Sequence, residues 1–146
     1  AGASWMLERG ARWLACTDAD SCVPADWLVC QLDCAADVVC GTVHIEQWQP
    51  GQDAALQARY LAHYQAREDH RHIHGANLGI CARAYQRVGG FQPLPLDEDV
   101  RLISDLELSG ARIVWTARNS VSTSSRADCR ARGGFGDFLL NLAAAP

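Results

Sequence analysis

An excess of basic charge is missing from this sequence: thirteen basic residues stand against seventeen acids, a formal net charge of −4 at pH 7. A field of that sign draws in neither nucleic acid nor an anionic membrane surface, so nucleic acid is not an expected partner. Long apolar runs are missing too. None approaches the roughly 20 residues of a membrane span, and no secretory signal is visible. The seven cysteines (16, 22, 30, 34, 40, 81 and 129) include no Cys-x-x-Cys pair. Their odd number and irregular spacing fit neither a disulfide framework nor a zinc site. A reduced, cytoplasmic setting is expected, with most of the thiols acting as small buried apolar groups. Internal repeats and low-complexity linkers are also absent.

What is present is enough for one core. A chain of 146 residues with 49% hydrophobic content is expected to fold as a single domain, 1–146. It opens on Ala1 and runs at once into a helical segment, which reads as an entry into the middle of a domain. The pattern alternates. A helix over 2–9 closes at Gly10, and strand 12–16 follows. Pro24 is placed for a first helical turn, with Trp27, Leu28, Gln31, Leu32 and Ala35 at helical spacing after it. The β-branched stretch 37–45 predicts a second strand. Residues 53–69 predict the longest helix, with Leu56, Tyr60, Leu61 and Tyr64 on one apolar stripe; core packing and ligand contact are both open to the tyrosines. Later come a strand over 78–82, a short helix over 85–88, a proline loop over 92–97, a helix over 98–109, a buried strand over 113–116, a segment rich in hydroxyls and arginines, and a terminal apolar helix.

The chain is organised around its first strand. The apolar run Trp13 to Cys16 stops at two aspartates one residue apart, Asp18 and Asp20. If the backbone stays extended there, side chains alternate and both carboxylates face one point. Such a pair suits magnesium or manganese, which take a few carboxylate oxygens and leave the remaining positions to water and phosphate. Twelve aspartates make a chance Asp-x-Asp easy, and Asp97-x-Asp99 is a second. A polar strand end capping the helix at Pro24 is the other reading.

Three further groups stand out. His70, His72 and His74 alternate, so an extended segment would put them on one face, either as metal ligands or as a solvated loop. Gly75 and Gly79 point to close approach of backbone or ligand, with the Asn77 amide beside them. Asp97, Glu98 and Asp99 either meet the positive end of a helix dipole or include a carboxylate that takes a proton from a hydroxyl group.

In order along the chain, Thr17-Asp-Ala-Asp-Ser21, Pro24-Ala-Asp-Trp-Leu28, Gly75-Ala-Asn77, Arg83, Gly89-Gly90-Phe91, Glu98-Asp99 and a Leu-rich helix closed by Gly110 resemble the large family-two glycosyltransferases, inverting, metal-dependent nucleotide-sugar enzymes of the type-A fold. The resemblance runs from about residue 2 to about residue 140. It implies an α/β fold, a mixed sheet flanked by helices, of which this chain is the C-terminal portion without the N-terminal nucleotide-binding βαβ half. It implies a nucleotide-sugar donor, a saccharide or other hydroxyl acceptor, and a divalent metal, magnesium or manganese. Asp20 looks like the more direct metal ligand, with Asp18 nearer the ribose or metal-bound water. Asp99 is similar to the general base, with Glu98 the near alternative. Gly75, Ala76 and Asn77 look like the lining of the donor-sugar and acceptor pocket. Arg126, Arg130 and Arg132 fall where members place residues over the diphosphate, or are solvated charges.

The family's base-gripping half is expected to lie outside this chain. Strands 12–16 and 37–45 are therefore expected to lack sheet neighbours on one side, leaving an apolar edge that favours homo-oligomers. The chain by itself is expected to bind nucleotide sugar weakly or not at all and to be inactive alone, with any peripheral membrane association arising through parts outside it. Two alternatives remain: a non-catalytic, self-associating half-domain or interaction module, and a zinc domain built on the three histidines and nearby cysteines.

Overall fold

Four short stretches rich in apolar and β-branched residues pair into one sheet, and the amphipathic segments between them cover it. The computed structural model describes residues 2–126 and 134–144. Along the chain run α1 (Gly2–Glu8), β1 (Trp13–Cys16), α2 (Trp27–Asp33), β2 (Val38–Ile45), α3 (Ala54–His63), a 3₁₀ turn (Gly75–Asn77), β3 (Leu78–Cys81), α4 (Ala82–Arg87), α5 (Glu98–Leu108), β4 (Ile113–Thr123) and α6 (Phe135–Ala144). The fold is α/β, with a mixed sheet ordered β1-β3-β2-β4; β1 and β2 each run antiparallel to β3, and β2 runs parallel to β4. Among the described residues no helix is long and apolar enough to cross a membrane.

The first six residues of β2 are all buried, as expected of an interior strand covered on both faces. On one face Val38 and Cys40, with Leu78 and Ile80 of β3, pack against Leu102, Ile103 and Leu106 of α5. The other face is closer. A Cβ at Gly79 would strike Gln31 of α2 and the Trp13 ring, so the helix sits against bare backbone. The Gln31 carbonyl accepts the Trp13 indole N–H at 2.9 Å, which ties α2 to β1. A second core lies beyond the sheet's end, where Val43, Tyr60, Tyr64 and Leu139 pack with Phe135 and Phe138. There Arg59 of α3 donates to the Leu142 carbonyl at 2.9 Å, satisfying a backbone acceptor near the end of α6.

Asn77 joins these layers. Its side chain is fully buried. The amide nitrogen donates to the Thr42 carbonyl at 2.8 Å and the Asn119 carbonyl at 2.7 Å, and the amide oxygen accepts the Trp27 indole N–H at 2.8 Å. One side chain thus bonds β2, β4 and α2. Gly41 supplies the room, since a Cβ there would fall on the Asn77 amide.

Several sequence expectations change. The helix expected over 53–69 stops at His63, because Tyr64 turns extended (φ −90°, ψ 103°) and its hydroxyl accepts the Val43 N–H at 3.0 Å. Leu61 leaves the expected stripe and is 71% exposed. Pro24 precedes α2 without entering it; its carbonyl accepts the Trp27 N–H at 3.1 Å in a turn ahead of the helix. The strand expected over 113–116 continues to Thr123 past a bulge, with Gly41 opposite Thr116 and Thr42 opposite Ser120. Glu68 satisfies the bulge from a distance, accepting from the Thr116 hydroxyl and the Ala117 N–H at 3.0 Å each. β2 is not an edge, because β4 occupies its free side; β1 pairs with β3 alone.

Replacing Asn77 by the isosteric aspartate turns two donors into acceptors facing two carbonyls. Asn77→Asp is expected to lose about 2 kcal/mol or more, since each stranded buried group costs about 1–3 kcal/mol. Urea unfolding measures it, and an unchanged midpoint would show that the amide does not hold the layers together.

Candidate functional site

The chain leaves β1 at Cys16 and turns, with the Ser21 N–H reaching the Asp18 carbonyl at 3.2 Å. The extended alternation that would aim Asp18 and Asp20 at one point is therefore lost. Asp18 lines a cavity of about 450 Å³. Asp20 is outside that lining and pairs with Arg126, Nη2 to Oδ2 at 3.0 Å. Both side chains of this pair are substantially exposed, so it adds little stability and is free to exchange partners.

Asp99, in the first turn of α5, lines the same cavity as Asp18. Its Oδ2 accepts the Gly75 N–H at 2.8 Å and its Oδ1 accepts the Val100 N–H at 2.8 Å. The bond to Gly75 crosses 24 residues of sequence and fixes the carboxylate against the 3₁₀ turn. Each oxygen keeps a further lone pair. Asp97, at the helix N-cap, has a left-handed backbone (φ 59°) and makes no side-chain cap, and it too lines the cavity. Glu98 is exposed and outside the lining.

These acids sense one another. Partial desolvation raises the Asp18 pKa above its ordinary 3.8, and the negative charges of Asp20, Asp99 and Glu98 raise it further. The Asp18 carboxylate has no hydrogen-bond or ion-pair partner among the described residues. A cation fits such an uncompensated group. Among the described residues no three His, Cys, Asp or Glu side chains converge as a metal-holding group. The donor set matches a magnesium-type ion that takes one or two carboxylates and fills its other positions from substrate and water.

Aromatic rings line the same cavity. Tyr64, His63, Phe135 and Phe138 line it, and the His63 and Phe138 rings lie 5.6 Å apart. The three alternate histidines do share one side of an extended segment. They stack, however, instead of aiming nitrogens at one point: His70 and His72 centroids are 5.3 Å apart, and His72 and His74 are 6.0 Å apart. His70 Nδ1 accepts the His72 N–H at 3.1 Å, and His72 Nε2 donates to the Gln65 carbonyl at 3.2 Å. His74 is packed into the cavity wall, and burial, then the neighbouring His72 and His70, lower its pKa to about 4.

Of the expected site residues, Asp18, Asp99, Gly75 and Ala76 come together around the cavity, and Asp20 and Glu98 stand close enough to act on Asp18 by charge. Asn77 does not join them. Its amide is spent on Thr42, Asn119 and Trp27, so it supports the lining from behind. Arg130 and Arg132 lie outside the described residues. The sequence reading missed His63, Phe135 and Phe138 as lining. Phe135 and Phe138, three apart beside a glycine run, are the signal that could have found two of them. No family model matches the chain, and no curated protein matches it either.

A raised carboxylate pKa has a definite sign. The folded state holds the Asp18 proton more tightly than the unfolded chain, which releases it near the ordinary 3.8. Ionisation therefore weakens the fold as pH rises from that value through the folded pKa, and the cost persists at neutral pH. Asp18→Asn is expected to have a higher Tm than the native chain at pH 7 and an equal one below pH ~3.5, where both side chains are neutral. A variant less stable than the native chain at pH 7 would contradict the crowding of acids.

Proposed function

We propose that the cavity serves metal-assisted transfer of a sugar, with inversion, from a nucleotide-sugar donor to an acceptor hydroxyl, on a partial type-A fold. The observation that carries this reading is that Asp18 and Asp99 line one cavity, with Asp99 fixed by the Gly75 N–H. The motif order supports it: each segment of the resemblance that contributes to the cavity does so with the residue type the chemistry needs.

In this reading Asp99 takes the proton from the acceptor hydroxyl. The acceptor oxygen attacks the anomeric carbon, and the sugar–phosphate bond breaks on the opposite face, releasing the nucleoside diphosphate and inverting the centre. A base held in place before the reaction contributes about 10²–10⁴-fold. Asp18, joined by Asp20 once Arg126 releases it, would hold the divalent cation, magnesium or manganese, which when bound would neutralise charge developing on the diphosphate. Arg126, exposed and already beside Asp20, supplies a cation that a diphosphate could take over.

Weak donor binding, with Kd above the micromolar range, is expected of the chain by itself, so the assay is run at millimolar donor. The chain is incubated with uridine, guanosine and thymidine diphosphate sugars, manganese and a panel of alcohol and saccharide acceptors. At that concentration slow, manganese-dependent release of nucleoside diphosphate is expected in place of the inactivity expected at ordinary donor levels, falling about 10²–10⁴-fold in Asp99→Asn. Release that is indifferent to manganese and to Asp99, or no release from any donor, would sink the transferase reading.

A second reading, non-catalytic self-association, is favoured by the edge itself. Beside the single-partnered β1, the Trp5 and Met6 side chains of α1 are 53% and 45% exposed. Sedimentation at micromolar concentration tests it: a dimer dispersed by Trp5→Glu supports it, and a monomer of the native chain removes it.

A further inference from the structure

Among the polar groups of the cavity lining that the transfer chemistry does not use, Tyr64 and His74 bond to each other. Tyr64 accepts the Val43 N–H at 3.0 Å, so its own phenolic proton needs another acceptor. His74 Nε2 lies 3.0 Å from the same oxygen. A phenol oxygen that already takes a backbone N–H directs its O–H toward that ring nitrogen. His74 Nε2 therefore holds the lone pair, and the proton of the neutral ring is on Nδ1. Burial and the two neighbouring imidazoles keep the ring neutral, its pKa lowered to about 4. Burial holds the Tyr64 phenol protonated, its pKa raised to about 12, so the tautomer does not change near neutral pH. The His74 ring lines the cavity, and Nδ1 has no partner among the described residues.

We propose that His74, locked by Tyr64 as its Nδ1–H tautomer, is the hydrogen-bond donor that orients the acceptor in this cavity, and that the acceptor is a neutral polyhydroxylated ring. The proposal rests on the transfer reading and deepens it by naming the acceptor class. The chemistry of the walls selects that class. Asp18, Asp97 and Asp99 require hydrogen-bond donors and repel anions. The His74 N–H requires an acceptor oxygen, which an ammonium group lacks. A hydroxyl group satisfies both at once, donating to a carboxylate and accepting from the imidazole. The flat faces of Phe138 and His63 suit the C–H face of a sugar ring. A volume of about 450 Å³ lies within the range of small-ligand sites.

Two-bond proton–nitrogen correlation spectra of the histidine-labelled chain read the tautomer directly. His74 is expected with a protonated Nδ1 and a bare Nε2, and the Nδ1 signal is expected to shift on adding methyl glucoside or methyl galactoside. Glucuronate and glucosamine are expected to bind more weakly than the neutral glycosides. In His74→Asn the amide nitrogen falls near the Nδ1 position, whereas in His74→Gln it falls near Nε2. His74→Asn is expected to keep glycoside affinity within about threefold and His74→Gln to lose about tenfold, the size of one directed hydrogen bond. Tyr64→Phe keeps the ring and removes the proton that fixes the tautomer; mixed His74 tautomers and a weaker glycoside response are expected. A protonated Nε2 in the native chain, equal affinity in His74→Asn and His74→Gln, or tighter binding of glucuronate overturns the proposal. Nucleoside diphosphate release separates it from the reading it rests on. Glycosides bound through His74 without any donor turnover remove the transferase and leave the binding site; turnover with glycoside binding indifferent to His74→Gln removes this inference alone.

Discussion

Three hydrogen bonds to one buried amide hold this protein's layers in register. Asn77 sits at the end of a single turn of 3₁₀ helix, and its side chain reaches β2, the bulge of β4 and the indole of α2. Neither carbonyl it satisfies has an easy substitute, because the bulge has displaced β4 from its ladder. A buried carbonyl without a partner costs as much as a large fraction of a small domain's net stability. The turn that carries Asn77 also carries Gly75, whose N–H fixes Asp99. Structural support and candidate chemistry therefore share three consecutive residues. Whatever shifts the amide shifts the carboxylate that shares the cavity with Asp18.

The cavity lining is made by two opposite physical means. Asp18, Asp97 and Asp99 gather in the lining with no Lys or Arg beside them there among the described residues, and the raised Asp18 pKa reflects partial desolvation and that crowding. Local instability of this kind marks places where a ligand or ion completes the charge balance. Elsewhere in the lining the second core closes the space with rings: Tyr60 and Tyr64 stack at 5.4 Å, and Phe135 meets Tyr60 edge-on at 6.1 Å. The polar side supplies reactivity. The ring side supplies shape, together with one neutral N–H.

Much of this was legible because it depends on local spacing. The strand of β-branched residues at Val38 to Ile45, the helix stop at Gly110 with φ 75°, and the acids opening α5 follow from periodicity and turn chemistry read over a few residues. The misreadings have a common cause in partners distant along the chain. Leu56, Tyr60 and Tyr64 keep helical spacing, yet the helix ends because the Tyr64 hydroxyl is drawn to Val43, 21 residues away. β4 outruns its expected end because Glu68 and Asn77 satisfy its bulge. Asn77 was read as a ligand-facing amide, and nothing in its neighbours in sequence reveals the two carbonyls that claim it. The Asp-x-Asp spacing puts two acids after the end of β1, but the turn after Cys16 leaves Asp18 exposed at the cavity and Asp20 paired with Arg126.

The account stands on Asp18 and Asp99 lining one cavity closely enough for the charge of one to act on the other. Carbon-detected titration of the aspartate carboxyls, in buffer stripped of divalent ions, measures that relation in the native chain and in Asp99→Asn. The Asp18 midpoint is predicted to lie above the ordinary 3.8 and to fall when the Asp99 charge is removed. A midpoint at the ordinary value in the native chain, or one that ignores the loss of Asp99, would contradict the account.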